Sequence, residues 1–257
     1  ILTLTPTRCL HRQSDSLDKA PAPKARDKWV AASVVSDTAD VISQGFDHAE
    51  RRDAERAATW LALVDGNKHQ IDRITAEAEH RDRTVHICID FVHVLEYLWG
   101  STWCFHQEGD PKAEAWVNRQ AIRILNSKAP KVVASIRDLA KRRKLSKQQR
   151  ANADKCIRYL TNNAPYLDYD TFLTRGWPIA TGVIEGACRH LVKDRMDITG
   201  ARWGLEGAEA VLKLRAIRTN GDFDAYFKYH RQQEYQRNHS HPHAGLLTHE
   251  SDLALAA

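Results

Sequence analysis

Apolar positions in this chain recur at two spacings. Trp29–Val35 (WVAASVV), Trp60–Val64 (WLALV) and Val85–Ile89 (VHICI) are short apolar runs, rich in β-branched residues except for WLALV, and predict three strands. Between them, Val41, Phe46 and Ala49 predict a helix over Asp37–Trp60, and Ile71, Ile74 and Ala78 predict another ending near Arg81. Strand, helix, strand, helix, strand in that order predicts parallel crossover units, hence an α/β fold. Asp65-Gly66-Asn67 marks the turn after the second run.

After Asp90 the strand signals stop. Residues 91–175 predict a helical block with Trp99, Trp103 and Trp116 contributing to its core. Arg175-Gly176-Trp177-Pro178 interrupts the pattern, and helices are predicted again over Ala180–Met196, Leu205–Thr219 and Phe223–Glu234. Residues 1–27, with Pro6, Pro21 and Pro23, read as a linker or truncated stump, and 236–257 as a polar, His-rich, disordered tail.

Composition narrows the class. With 257 residues, 42% hydrophobic and 28% charged, the chain has enough apolar surface for a core. It has no run of about 20 apolar residues and no secretory leader, so a cytoplasmic, non-membrane protein is expected. Residue 1 is Ile and Met196 is the only methionine, which reads as a fragment or processed product. Five widely spaced cysteines without a CxxC argue against a disulfide scaffold.

Charge is concentrated. Trp116–Arg150 holds eleven Lys/Arg against the single acid Asp138, a net +10 in a chain of formal charge +5. Such a window attracts polyanions, since each cation placed near a phosphate releases a counterion. A solvated helical face is the alternative on composition alone.

Asp65 and Asp90 each end a predicted strand, where open parallel sheets bind their ligands. Two close carboxylates repel unless a proton or cation lies between them, and oxygen ligands suit Mg²⁺ or Mn²⁺. The ordinary roles are a turn residue for Asp65 and a helix cap for Asp90. Glu185 lies between Gly182 and Gly186 in TGVIEGACRHLVKDRM, with Arg189, His190 and Lys193 within about two turns. His93 makes Asp90-x-x-His93 where strand becomes helix.

Three segments, LVDGNKHQIDRITAEAE (63–79), HICIDFVHVLEYLW (86–99) and GWPIATGVIEGACRHLVKDRMDITGARWGLEGAEAVLKLRA (176–216), closely resemble bacterial insertion-sequence DDE transposases of the ISKra type, relatives of the Mutator-like group. The resemblance spans Trp29 to Arg237. It implies a partial ribonuclease-H-like sheet with strands near 29–35, 60–65 and 85–90, a catalytic core of 28–90 plus 176–235, and an all-helical insertion over 91–175. By this resemblance Glu185 is the last acid of the triad, Asp65 the second, and Asp90 with His93 the Asp-x-x-His signature on the next strand. The first Asp is then expected upstream, since Asp15, Asp18 and Asp27 lie in linker sequence. The competing assignment makes Asp65, Asp90 and Glu185 the whole triad.

The activity so implied is cleavage and strand transfer at element ends, with two Mg²⁺ or Mn²⁺ ions held by the carboxylates Asp65, Asp90 and Glu185. Double-stranded DNA would be bound by Arg119, Arg123, Lys128, Lys131, Lys141, Arg142, Arg143, Lys144, Arg189, Lys193 and Arg202, with the protein a homo-oligomer on paired ends. Two other classes remain. One is a catalytically inactive DNA-binding remnant using 116–150. The other is a zinc module from His86, Cys88, Cys104, His106, Cys188 and His190, whose pairs are closer in sequence than zinc ligands usually are.

Overall fold

Each helix of the first half begins where a short polar side chain can accept backbone N–H groups. The computed structural model describes residues 28–180, 186, 188–198 and 200–239, which form two compact units: 36–189, and 28–35 together with 190 onward.

In the first unit, α1 (Thr38–Arg52) starts at Asp37, whose carboxylate accepts the Ala39 N–H, and buries Ile42, Phe46 and Ala49. The helix expected to reach Trp60 stops at Asp53. Buried Asp53 accepts N–H groups from Ala57, Ala58 and the Trp60 indole at 2.8–3.0 Å, which ties the turn to the start of β1 (Trp60–Val64). All five β1 residues are buried. Asn67 caps α2 (Lys68–His80), whose Ile71, Ile74 and Ala78 face the core, and β2 (Val85–Ile89) follows. The strands pair in parallel, Trp60 opposite Val85 through Val64 opposite Ile89. Both strands and the intervening helix lie where the sequence predicts them.

Next come α3 (Phe91–Thr102), α4 (Pro111–Leu125), α5 (Ala129–Arg142), α6 (Ala151–Asn162) and α7 (Tyr169–Thr174). α3 packs on α4 and α6, and α6 packs on α5. One continuous core joins these helices to α1, α2 and both strands. Tyr169, fully buried, donates its hydroxyl to the Ile89 carbonyl at 2.8 Å, fastening α7 to the end of β2. Trp116 is buried as expected, but Trp103 is 44% exposed and flanks Trp99 at 5.5 Å instead of filling the core.

The second unit holds a π-helical turn Arg189–Lys193 that starts at the boundary, then α8 (Asp194–Met196), α9 (Leu205–Asn220) and α10 (Phe223–His239). Residues 29–35, expected as a strand, form none. Three of their backbone groups go to side chains of α9, and the Val35 N–H goes to the Ser33 hydroxyl. Asn220 accepts the Val30 N–H at 2.8 Å and donates to the Val30 carbonyl at 3.0 Å, taking the place of a neighbouring strand. Glu209 accepts from the Ser33 hydroxyl and the Val34 N–H, each at 2.9 Å. The sheet therefore has two strands among the described residues, and the architecture is α/β, mainly helical. α10 runs four residues into the segment expected as tail, and 240–257 lie outside the described residues. No helix among the described residues is long and apolar enough to cross a membrane.

Candidate functional site

The carboxyl ends of β1 and β2 deliver Asp65 and Asp90 side by side. Each directly follows the last paired residue of its strand, and the Asp90 N–H donates to the Val64 carbonyl at 2.8 Å, continuing the ladder one residue further. Asp65 is exposed. One of its oxygens accepts the Asn67 N–H at 2.8 Å, a turn that sets Asn67 to cap α2. Asp90 is buried (8% exposed) and accepts the Val92 N–H at 2.8 Å, capping α3. Both ordinary roles from the sequence are therefore present, at neighbouring strand ends.

His93 lies one turn into α3, its Nδ1 3.0 Å from Glu96 Oε2. Burial disfavours the imidazolium. The Glu96 hydrogen bond and the negative charges of Glu96, Asp90 and Asp65 outweigh that and raise the His93 pKa. His93 therefore stands in the field of both strand-end carboxylates.

Four further residues complete the site. Tyr159 on α6 donates its hydroxyl to the Asp65 carbonyl at 2.8 Å, and Tyr97 stacks on Tyr159 with centroids 3.8 Å apart. Asn163 donates to the Tyr159 carbonyl, and Glu96 anchors His93. Glu96 and Tyr97 follow His93 by three and four residues, a spacing that places them on its helix face. Tyr159 and Asn163 come from far along the chain. Burial, followed by the nearby charges, pushes the Tyr159 phenol well above its usual range, so it stays a donor.

The chain approaches this edge a third time. The Phe91 N–H donates to the Ile179 carbonyl at 2.9 Å, so residues preceding Glu185 reach the start of α3. Glu185 lies outside the described residues. Among the described residues no group of three His, Cys, Asp or Glu gathers to hold a metal. Asp65 and Asp90 have the oxygen donors a hard cation prefers, but they make a pair rather than a full set.

Among the described residues the zinc arrangement is not formed. The His86 ring lies tilted against Trp177 with centroids 4.7 Å apart, Cys88 is fully buried, His106 meets Asp110 and His190 meets Asp194. Cys88, Cys104, Cys156 and Cys188 are free thiols.

The basic window follows α4, α5 and the loop to α6. α5 buries Val132, Val133, Ile136 and Ala140, and exposes Lys131, Lys141 and Arg142 on the other side, with Lys128 at its start. Among the described residues Arg119, Lys128, Lys131, Lys141, Arg142 and Lys144 have no ion-pair partner. Two expected DNA contacts are engaged within the fold. Arg143 donates to the Phe105 carbonyl and covers the Phe105 ring at 6.0 Å, and Arg123 donates to Gln120 at 3.1 Å. In the other unit Lys193 and Arg202 are exposed; Arg189, at the unit boundary, is exposed too.

Compared with protein-family models, curated proteins and solved structures, the chain matches none.

Proposed function

We propose that this chain is a DNA-processing protein of the DDE transposase kind, cutting and joining phosphodiesters at the edge formed by Asp65 and Asp90. The reading is carried by one observation: two acids directly following the matched ends of adjacent parallel strands, with His93 near enough for their charges to raise its pKa. The cationic face of α5 supports it.

Asp65 and Asp90, with Glu185, are the residues that would hold Mg²⁺ or Mn²⁺. When bound, such ions activate a water or 3′-hydroxyl and stabilise the leaving oxygen. The chain's own residues supply position and charge. Asp90 is fixed by bonds to Val64 and Val92, and Tyr159 holds the Asp65 turn. His93, whose pKa the Glu96 hydrogen bond and the nearby carboxylates raise, can donate a hydrogen bond to a phosphate oxygen. Lys128, Lys131, Lys141 and Arg142 grip the backbone without reading sequence.

The second reading, DNA binding without cleavage, is favoured by the roles Asp65 and Asp90 already play as turn and cap acceptors. A pair of assays on the full chain separates the two. Duplex binding titrated against salt should weaken in K131E/K141E/R142E, with the log–log slope falling by roughly 3. Mg²⁺- or Mn²⁺-dependent nicking should be lost in Asp65→Asn, Asp90→Asn and Glu185→Gln with binding intact. Binding without nicking in the parent chain selects the second reading. No duplex binding at low salt rejects both.

A further inference from the structure

Just past Asp65, at Gly66, a cleft of about 640 Å³ opens between α2, α3 and α6. Tyr97, Tyr159 and Tyr166 contribute aromatic rings, and Lys155, Arg158 and Asn162 contribute polar heads. The three α6 residues are spaced at i, i+3 and i+7, so one helix face presents them together. All three are exposed, and neither Lys155 nor Arg158 has an ion-pair partner among the described residues. The remaining lysine of the lining, Lys68, is already held by Asp72 at 2.8 Å. The cleft therefore carries two uncompensated cations beside aromatic faces.

Its floor is fixed. Gly66 has φ +92°, and a Cβ there would meet Asn163 Nδ2 and Tyr159 Cε2 at 2.9 Å, so the turn and α6 are in close contact. Tyr159 is tied to the Asp65 carbonyl, and Tyr97 lies stacked on it while remaining 36% exposed. Preset aromatic surfaces next to free cations suit a ligand that is both planar and anionic. The volume falls in the ~300–1,000 Å³ range of sites that enclose one small group.

We propose that this cleft holds one nucleotide of an unpaired DNA strand, its phosphate on Lys155 and Arg158 and its base against the tyrosines. Single-strand sites combine these two elements, and the stacking tolerates any base because every base has a π-face. The site rests on the DNA reading above and extends it. Because the cleft shares Gly66 and Tyr159 with the Asp65 turn, a strand end lodged there lies beside the carboxylate edge.

The test uses the full chain and two labelled duplexes of one sequence, one blunt and one with a short single-stranded overhang, measured by fluorescence anisotropy. The parent chain should prefer the overhang. Lys155→Ala with Arg158→Ala should weaken overhang binding about 10-fold and lower its salt slope by roughly 1.4, at ~0.7 per phosphate, with blunt binding unchanged. Tyr97→Ala should weaken it about 5- to 10-fold and Tyr97→Phe should restore it. Competition by deoxyadenosine monophosphate identifies a free-nucleotide site, and competition by oligothymidylate without it identifies a strand site. Unchanged overhang binding in the charge variant, with blunt binding intact, overturns the cleft assignment and leaves the DNA reading standing. Failure of the parent chain to bind either duplex overturns both.

Discussion

The Tyr159 hydroxyl donates to the Asp65 backbone carbonyl at 2.8 Å across 94 residues of sequence. This single bond ties the helical block to the turn that carries the first strand-end acid. Tyr159→Phe keeps the ring on Tyr97 and removes only the donor, leaving the carbonyl short of a partner. We expect a loss of about 1–2 kcal/mol in urea unfolding. Unchanged stability would show that water replaces the hydroxyl at no cost.

Gly66 faces two constraints at once. Its φ of +92° disfavours any side chain, and a Cβ would press on Tyr159 and Asn163 at 2.9 Å. Gly66→Ala should destabilise by about 2–4 kcal/mol, combining left-handed strain with overpacking. Gly109, at φ +83° with open space around it, is the control: Gly109→Ala should cost only the backbone part, about 1–2 kcal/mol. Equal losses at the two positions would remove the contact from the explanation.

Asp53 is buried and accepts three N–H groups, with Arg83 3.6 Å away. Burial opposes its charge, but the Trp60 indole, the Ala58 and Ala57 amides and Arg83 together lower its pKa below 3.8. A lowered pKa contributes stability that is present above the unfolded value and is lost as pH falls through the folded one. Asp53→Ala should cost about 2–4 kcal/mol at neutral pH by orphaning those donors, and should lessen the loss of stability below pH ~4. A mutant with the parent's acid profile would assign that loss to other carboxylates.

His93 should titrate in the opposite sense. Its pKa is raised above 6.5, so its contribution is full below the unfolded value and disappears as pH rises through the folded one. Proton NMR of the imidazole should show a midpoint above 6.5, and Glu96→Gln should move it down. A midpoint at or below 6.5 would mean that burial outweighs the carboxylates.

Periodicity made β1, α2, β2 and the helices after Asp90 legible, because each buries one apolar face at its own spacing. Asp65 and Asp90 were readable as strand-end acids for the same reason. The run Trp29–Val35 misled because a β-branched segment becomes a strand only when a neighbouring edge is offered, and here Asn220 and Glu209 offer side chains instead. Tyr159, Asn163 and the Lys155–Arg158 face carried no local signal. Their roles come from the packing of α6 on α3, which no short window of sequence contains. Arg143 shows the converse. It counted as one more cation in a basic run, yet its guanidinium is committed to Phe105.

The clasp of Val30 by Asn220 spans 190 residues, which bears on the order in which the protein is made. On the ribosome, residues 28–35 emerge long before α9 exists, so their amides stay hydrated while the 36–189 unit collapses on its own contacts. The second unit closes only after α9 has been synthesised. Truncation ahead of Glu209 would therefore free both ends of this unit together, sparing the interior that was finished first.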